Sequence, residues 1–285
     1  CHVPVIQVIH NYRLACLNAT FLRDGRVCEA CLGKKVPWKG IFHGCYRKSR
    51  AGSLAVALML VIHRILGTWN QKVNQYLALS DFGREKLIAN GIPPEKIAVR
   101  PNTLSLEIQP GDGSGNFALF VGRLSPEKGI ETLMAAWEGM EDSYRLILIG
   151  DGELREDVEE RSRKSGNIEI CGFQPNSVTI EWMRRAKFLV LPSIWYEGMP
   201  RAVIEAFAAG TPVIASEIGA MKDMIQNGIN GFLFEPGNAK RLTELAKALF
   251  QNEDLRRKMR IGARNSFNEK YSPECEIGRA SCRER

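Results

Sequence analysis

Between Phe117 and Gln251 short apolar runs alternate with longer stretches of helical spacing, and this alternation constrains the fold more than any other feature of the chain. The runs at 117–121, 145–149, 168–170, 188–191, 213–215 and 232–234 are short, continuous and bounded by turn residues, which predicts parallel strands buried on both faces. The stretches at 126–139, 153–164, 177–185, 200–209, 220–226 and 238–251 predict helices. Strand, helix and strand in strict succession make an α/β fold, a parallel sheet with helices on both faces. A shorter version of the pattern comes earlier. An apolar strand spans 5–9, another 75–79, a helix 81–89 stops at Gly91, and a strand at 97–100 follows Pro93-Pro94.

Residues 195–210 read WYEGMPRAVIEAFAAG. Pro200 suits the first helical position and Gly210 the residue just past the end, which predicts a ten-residue helix. The strand at 188–191 precedes it, so Glu197 and Gly198 fall in a strand-to-helix loop. The amides of Met199, Arg201 and Ala202 then point with the helix dipole above the carboxyl end of the sheet, a position that favours a phosphate. Glu205 lies one to two turns inside the helix, where a carboxylate can accept two ribose hydroxyls. A dipole-complementing charge followed by an ordinary helix glutamate explains the spacing equally well.

Residues 117–137, FALFVGRLSPEKGIETLMAAW, form another strand-loop-helix unit. Gly122 lets a ligand approach the backbone, and Arg123 and Lys128 place a fork-shaped and a point cation at the strand end and the helix start. Two cations near a loop are by themselves more often a solvated face. Beside the two glutamates they describe a nucleotide diphosphate site, with cations for the phosphates and an acid for the ribose. Gly150 and Gly152 in LIGDGE fit a tight turn as well as a cleft. Cys171-Gly-Phe173 fits a strand-exit turn.

VGRLSPEKG, LIGDG, CGF and EGMPRAVIEAFAAGTPVIAS, in that order within 117–272, resemble the donor domain of retaining glycosyltransferases of family 4, in the group 1 type. The resemblance implies the GT-B fold, two Rossmann-like domains with parallel sheets, the N-terminal one incomplete here. It implies that Glu197 and Glu205 are the family's Glu-x7-Glu pair, with Glu205 on the ribose and Glu197 beside the transferred sugar. Arg123 and Lys128 would hold the diphosphate together with Gly122, Gly198, Met199 and Pro200, and Phe173 or Gln174 would line the base. The implied reaction moves a hexose from a UDP- or GDP-sugar to an acceptor hydroxyl on a glycan, polysaccharide or lipid-linked sugar, with retention at the anomeric carbon and no required metal.

The opening VPVIQVIHNYRLACLNATFLRDGRVCEACLG resembles the second half of the acceptor domain in one subgroup of the same family. It starts in mid-domain, so truncation at the N-terminus is expected. His10, at the end of the strand 5–9, takes the place of a family histidine that faces the donor sugar; a hydrogen-bonded structural histidine is the alternative. The glycine-rich 110–115 stretch marks a junction near Leu106. The expected organisation is therefore a partial acceptor-side domain at 1–105 and a donor domain at 106–275. The ending EIGRASCRER at 276–285 matches nothing in the family and is expected to be a non-native tail. Lacking half of one domain, this polypeptide is expected to bind nucleotide more readily than it turns over.

Charge divides unevenly. Residues 1–105 carry 15 Lys and Arg against 5 Asp and Glu, and the remainder 24 against 27, within a net of +7. A basic first domain suits an anionic acceptor or an anionic membrane surface, and equally a solvated face. The apolar run 54–66, LAVALMLVIHRIL, is shorter than the ~20 residues a spanning helix needs and is interrupted by His63 and Arg64. It predicts a core or interfacial helix, with Arg47, Lys48 and Arg50 keeping a peripheral membrane contact open. A cytoplasmic protein, at the inner face of the membrane if that contact is made, is the expected location. Nucleic acid is not expected as a partner, because the basic region lacks the aromatic interleaving of a single-strand platform and the larger part of the chain is acidic.

Cys16, Cys28, Cys31 and Cys45 fall within thirty residues around a C-x2-C pair. Four thiolates at such spacing can hold a structural zinc or an iron-sulfur centre, and free buried thiols in a reducing compartment are the other reading. Two rival functions stay beside sugar transfer: a GT-B epimerase or phosphorylase, and a noncatalytic nucleotide-binding fragment.

Overall fold

The computed structural model describes residues 3–104 and 106–273. The tail expected at 276–285, with Cys1, Cys275 and Cys282, lies outside the described residues. The chain divides into two compact units: one runs to Pro101 and takes in Trp195–Met199, and the other comprises Asn102–Ile194 and the chain from Pro200 onward.

The first unit opens with β1 (Ile6–Ile9), then a hairpin of β2 (Leu22–Arg23) and β3 (Arg26–Val27), α1 (Trp38–Phe42) and α2 (Arg50–Ile65). It closes with β4 (Gln75–Ala78), α3 (Asp81–Ala89) and β5 (Ile97–Val99). β1, β4 and β5 make a three-stranded parallel sheet in that order, Ile6 opposite Gln75 and Tyr76 opposite Ile97. Both longer helices start on serine caps: Ser49 accepts from the Gly52 amide and Ser80 from the Gly83 amide, each satisfying an orphan donor of the first turn.

α2 carries the long apolar run. It buries Ser53, Ala57 and Leu60 against the core of Leu17, Tyr76, Leu87 and Ile97, and exposes Leu54, Leu58, Ile62 and Ile65 on its other face. Among the described residues no helix is long and apolar enough to cross a membrane. Between β1 and α2 regular structure is sparse, and the backbone is strained there. Ala19, Phe21, Asp24, Arg47 and Lys48 all take positive φ, which costs of order 1 kcal/mol or more each and persists only where surrounding contacts enforce it.

The second unit runs β6 (Phe117–Val121), α4 (Ile130–Trp137), β7 (Arg145–Ile149), α5 (Arg155–Ser165), β8 (Ile168–Gly172), α6 (Asn176–Arg185) and β9 (Phe188–Leu191). It continues through α7 (Arg201–Ala208), β10 (Val213–Ser216), α8 (Met221–Met224), β11 (Gly231–Phe234), α9 (Ala239–Gln251) and α10 (Glu253–Lys270). All six strands are parallel, in the order β11-β10-β9-β6-β7-β8. The chain builds outward from β6 to β8, returns to the centre, and builds outward the other way from β9 to β11. That is the doubly wound arrangement, with its switch point between β6 and β9.

Burial accounts for the strands' composition. Every residue of β9 and β10 is buried, and Phe120, Trp137, Phe188, Leu133 and Met134 fill the layers above the sheet. Trp137 keeps its indole N–H satisfied at the Tyr144 carbonyl, 3.0 Å away. α10 ties down the entry to this unit through two arginines: Arg264 donates to the Ile108 carbonyl at 2.8 Å and Arg260 to the Gly111 carbonyl at 2.7 Å.

The helix expected over 126–139 is divided. A single 3-10 turn (Pro126–Lys128) precedes Gly129, whose φ of +72° puts it in the left-handed region, and α4 starts one residue later. The cause is tertiary: a Cβ on Gly129 would lie 1.8 Å from the Pro192 carbonyl oxygen, so the chain turns there to let the β9 exit pass. Gly129→Ala therefore meets both a backbone that L residues avoid and a main-chain atom that cannot move aside. The expected loss is at least about 2 kcal/mol, read as a lower urea midpoint at unchanged slope; an unaltered midpoint would contradict this packing.

Candidate functional site

Ligands of doubly wound sheets bind outside the carboxyl ends of the strands at the switch point. In the second unit those strand ends are built for close approach. Gly122 leaves β6 and donates to the Ile149 carbonyl at 3.0 Å, and Gly150 leaves β7 and donates to the Gly172 carbonyl at 2.9 Å. A Cβ on Gly150 would stand 1.8 Å from the Gly122 carbonyl oxygen, so only glycine fits. In the sequence Gly150 fits a simple turn equally well; its steric role appears only when β6 and β7 are adjacent.

Above this floor lies a cavity of about 440 Å³, lined among others by Gly122, Arg123, Gly150, Phe173, Gln174 and Glu205. Gly122 and Arg123 come from the β6 exit, Phe173 and Gln174 from the β8 exit, and Glu205 from α7, so five of the expected site residues share one pocket. Phe173 is 79% exposed, an aromatic face standing open at the rim. Arg123 pairs with Glu127 at 3.1 Å, and Ser125 donates to the same carboxylate at 2.8 Å, which holds the guanidinium near the pocket mouth.

Glu205 is the buried charge of the pocket. Burial raises its pKa, and the nearby Arg201 guanidinium and a hydrogen bond from the Asn176 side chain oppose that shift. Arg201 stands 3.6 Å from the carboxylate. Sequence reasoning missed Asn176 and Thr179, which line the same cavity from α6. Their only sequence signal is the helix start after Pro175, which says nothing about a partner on α7.

α7 begins at Arg201, with Pro200 as its cap residue and no side chain capping it, and it is eight residues long where ten are expected. Gly210 follows the helix with φ +69°, as a C-terminal glycine should. Lys128 ends the 3-10 turn after β6 and does not line the cavity.

Glu197, Gly198 and Met199 belong to the first unit, in the segment Trp195–Met199. Glu197 is buried. A Cβ on Gly198 would lie 3.5 Å from the carbonyl oxygen of His10, so the segment runs beside the exit of β1. His10 itself is exposed. Of the expected residues, the first unit thus brings together His10, Glu197 and Gly198, and the second unit brings together Gly122, Arg123, Phe173, Gln174 and Glu205.

Cys16, Cys28, Cys31 and Cys45, expected as ligands of a zinc or iron-sulfur centre, are free and half-buried. Among the described residues no group of three or more His, Cys, Asp or Glu side chains is arranged to hold a metal ion. The thiols do share a neighbourhood. Burial pushes the pKa of Cys31 and of Cys45 up, and the other cysteines push them further, so these two favour the neutral S–H. Cys16 is engaged locally, donating to Asn18 Oδ1 at 2.8 Å.

The second unit thus gathers an acid, a cation and an aromatic face at the switch point of a parallel six-stranded sheet. Residues 105–266 match the family described as glycosyl transferases group 1, and the chain belongs to that family. It is 34% identical over 180 residues to an uncharacterized glycosyltransferase of Methanocaldococcus jannaschii, covering 62% of this chain and 50% of that protein. It is 31% identical to the phosphatidyl-myo-inositol mannosyltransferase of Mycobacterium leprae, over 69% of this chain and 55% of that one. The chain thus spans about half the length of these relatives. Its fold is that of the Anabaena protein HepE in complex with UDP, with a TM-score of 0.70 and 17% identity over 94% of this chain and 68% of that one. These solved neighbours are GT-B glycosyltransferases.

The Glu205 shift fixes a sign for stability. Its pKa is raised on folding, so folding favours the protonated acid. That contribution is fully present below the ordinary carboxylate range and is lost as pH rises through the higher folded value, leaving a penalty at neutral pH. Glu205→Gln is expected to melt at a higher temperature than the parent at pH 7, with the gain shrinking as pH falls below the carboxylate range. Thermal melts of both proteins across that window check it; a gain that grows toward acid would contradict it.

Proposed function

We propose that this chain carries the donor side of a retaining glycosyltransferase that moves a hexose from a UDP- or GDP-sugar to an acceptor hydroxyl. The observation that carries the reading is the convergence of Glu205, Arg123 and Phe173 on one cavity over the glycine floor of the switch point. A nucleoside diphosphate has a matching set of groups. Phe173 and Gln174 offer a face and an edge to the base, Glu205 accepts the ribose hydroxyls, and Arg123 with Lys128, the close approach at Gly122 and the amides at the start of α7 meets the diphosphate.

Retention asks for departure of the diphosphate and arrival of the acceptor on the same face of the sugar. In this reading the bond from the anomeric carbon to the phosphate oxygen breaks as the bond to the acceptor oxygen forms, and the acceptor's proton passes to the departing phosphate. Cations and amides aimed at the developing charge lower that barrier without a catalytic metal. Glu197 and His10 are assigned to the transferred sugar, Glu197 as a partner for the cationic transition state, with Gly198, Met199 and Pro200 beside the diphosphate.

The acceptor we favour is a glycan or a lipid-linked sugar of the cell envelope, since the similar Mycobacterium leprae protein is named for a lipid acceptor. The complex of HepE with UDP supports a uridine donor. We place the reaction in the cytoplasm, with the basic residues of the first unit drawn to the inner membrane face when the acceptor is a lipid.

Calorimetric titration with UDP, GDP and ADP tests the site. A uridine or guanosine diphosphate is expected to bind, and Glu205→Ala and Arg123→Ala each to weaken it about tenfold or more, the worth of a charge-assisted hydrogen bond of about 1.5–3 kcal/mol. Absence of binding by any of the three nucleotides, or variants that bind as well as the parent, would overturn the assignment.

A further inference from the structure

Glu29 stands inside the C-x2-C pair, between Cys28 and Cys31, and the donor-site reading gives it no task. Its backbone is fixed by the turn that carries it: the Leu32 amide donates to the Glu29 carbonyl at 3.0 Å and the Cys28 amide to the Phe21 carbonyl at 2.7 Å. Its side chain leaves the cysteine cluster and meets two donors at a single oxygen. Lys86 Nζ, from α3, lies 2.6 Å from Oε1, and the hydroxyl of Tyr196 donates to the same atom at 2.7 Å.

Tyr196 directly precedes Glu197 in the segment Trp195–Met199, which belongs to the first unit. Its ring lies 4.6 Å from that of Phe82 and 5.8 Å from that of Phe21, both edge-on, and Tyr12 completes the group at 6.4 Å. Lys86 sits 4.9 Å over the Phe82 ring and 5.3 Å over the Tyr196 ring, so one ammonium serves a carboxylate and two aromatic faces. Ionisation follows the geometry. Burial raises the Tyr196 pKa and Glu29 raises it further; for Glu29, burial pushes upward, but the hydrogen bonds from Lys86 and Tyr196 prevail and hold its pKa below the usual value. A phenol kept protonated and a carboxylate kept charged are the states this hydrogen bond needs.

We infer that Glu29, Lys86 and Tyr196 are positioning residues that latch the segment Trp195–Met199 into the first unit and so fix the backbone of Glu197 and Gly198. The inference rests on the proposed role of Glu197 for its bearing on transfer, whereas the latch itself stands without it. It also gives the cysteine-rich loop a purpose. The turn at 28–32 presents Glu29 as the acceptor for Tyr196.

Amide hydrogen exchange on the full chain tests it, read on the peptide spanning 195–199. Tyr196→Phe keeps the ring packing and loses only the hydroxyl; exchange in that peptide is expected to rise about tenfold, the effect of losing one charge-assisted hydrogen bond. Glu29→Ala is expected to do the same, and Glu29→Gln, which keeps an acceptor for the phenol, to restore most of the protection. Exchange in the β6 and β7 peptides of the second unit is expected to stay at the parent's rate in all three, which confines the effect to the first unit. Exchange at 195–199 unchanged in Tyr196→Phe would overturn the latch, as would equal loss in Glu29→Gln and Glu29→Ala. A parent chain that fails to bind UDP would instead overturn the donor-site reading and leave the exchange result to stand by itself.

Discussion

The second unit depends on how closely its main chain approaches itself at the strand exits. Gly150 presses on the carbonyl of Gly122 and Gly129 on that of Pro192, at distances where a methyl group could not stand. These contacts let β6, β7 and β9 end side by side and let the chain reverse its building direction between β6 and β9. A crevice follows from that reversal, because the connecting helices leave on opposite faces. Side chains reach the crevice only from its borders, and they are the ones found there: Arg123 after β6, Phe173 after β8 and Glu205 on α7.

A site of this kind is held at a cost. Glu205 is a carboxylate removed from water, opposed only in part by Arg201 and Asn176, and its raised pKa measures the imbalance. A ligand that offers hydroxyl donors would relieve it, so the same burial that destabilises the empty protein favours binding. The first unit handles the half-buried Glu29 differently. Glu29 is matched by a lysine and a phenol, and its pKa is lowered. One carboxylate keeps a raised pKa and the other a lowered one, the contrast we propose between a binding group and a structural one.

Much of the donor unit is legible in the sequence, because parallel strands buried on both faces must be continuous apolar runs. The spans of β6, β7, β9 and α3 coincide with the runs that announce them. Arg123 was legible because it directly follows the β6 exit, and Glu205 because Pro200 and Gly210 mark the ends of its helix. What the sequence hid is tertiary. Gly129 looks like an interior helix residue until the β9 exit is placed against it, and Asn176 has no mark of its contact with Glu205. Nor does the sequence disclose that Trp195–Met199 packs with residues more than a hundred positions away, since the aromatic ring and hydroxyl of Tyr196 have no local periodicity. The cysteine spacing was visible, but the arrangement of the thiols was not, and the spacing alone does not separate metal ligands from the frame of a turn that presents Glu29.

The central claim is that a nucleoside diphosphate occupies the switch-point cavity of the second unit, and localised hydrogen exchange with and without saturating UDP tests it most directly. The account predicts slower exchange in the peptides that carry Gly122 and Arg123, Gly150 and Asp151, Phe173 to Asn176 and the first turn of α7, with α2 and the turn around Glu29 unchanged. Protection confined to the first unit, or no protection anywhere at a UDP concentration that saturates binding, would contradict it.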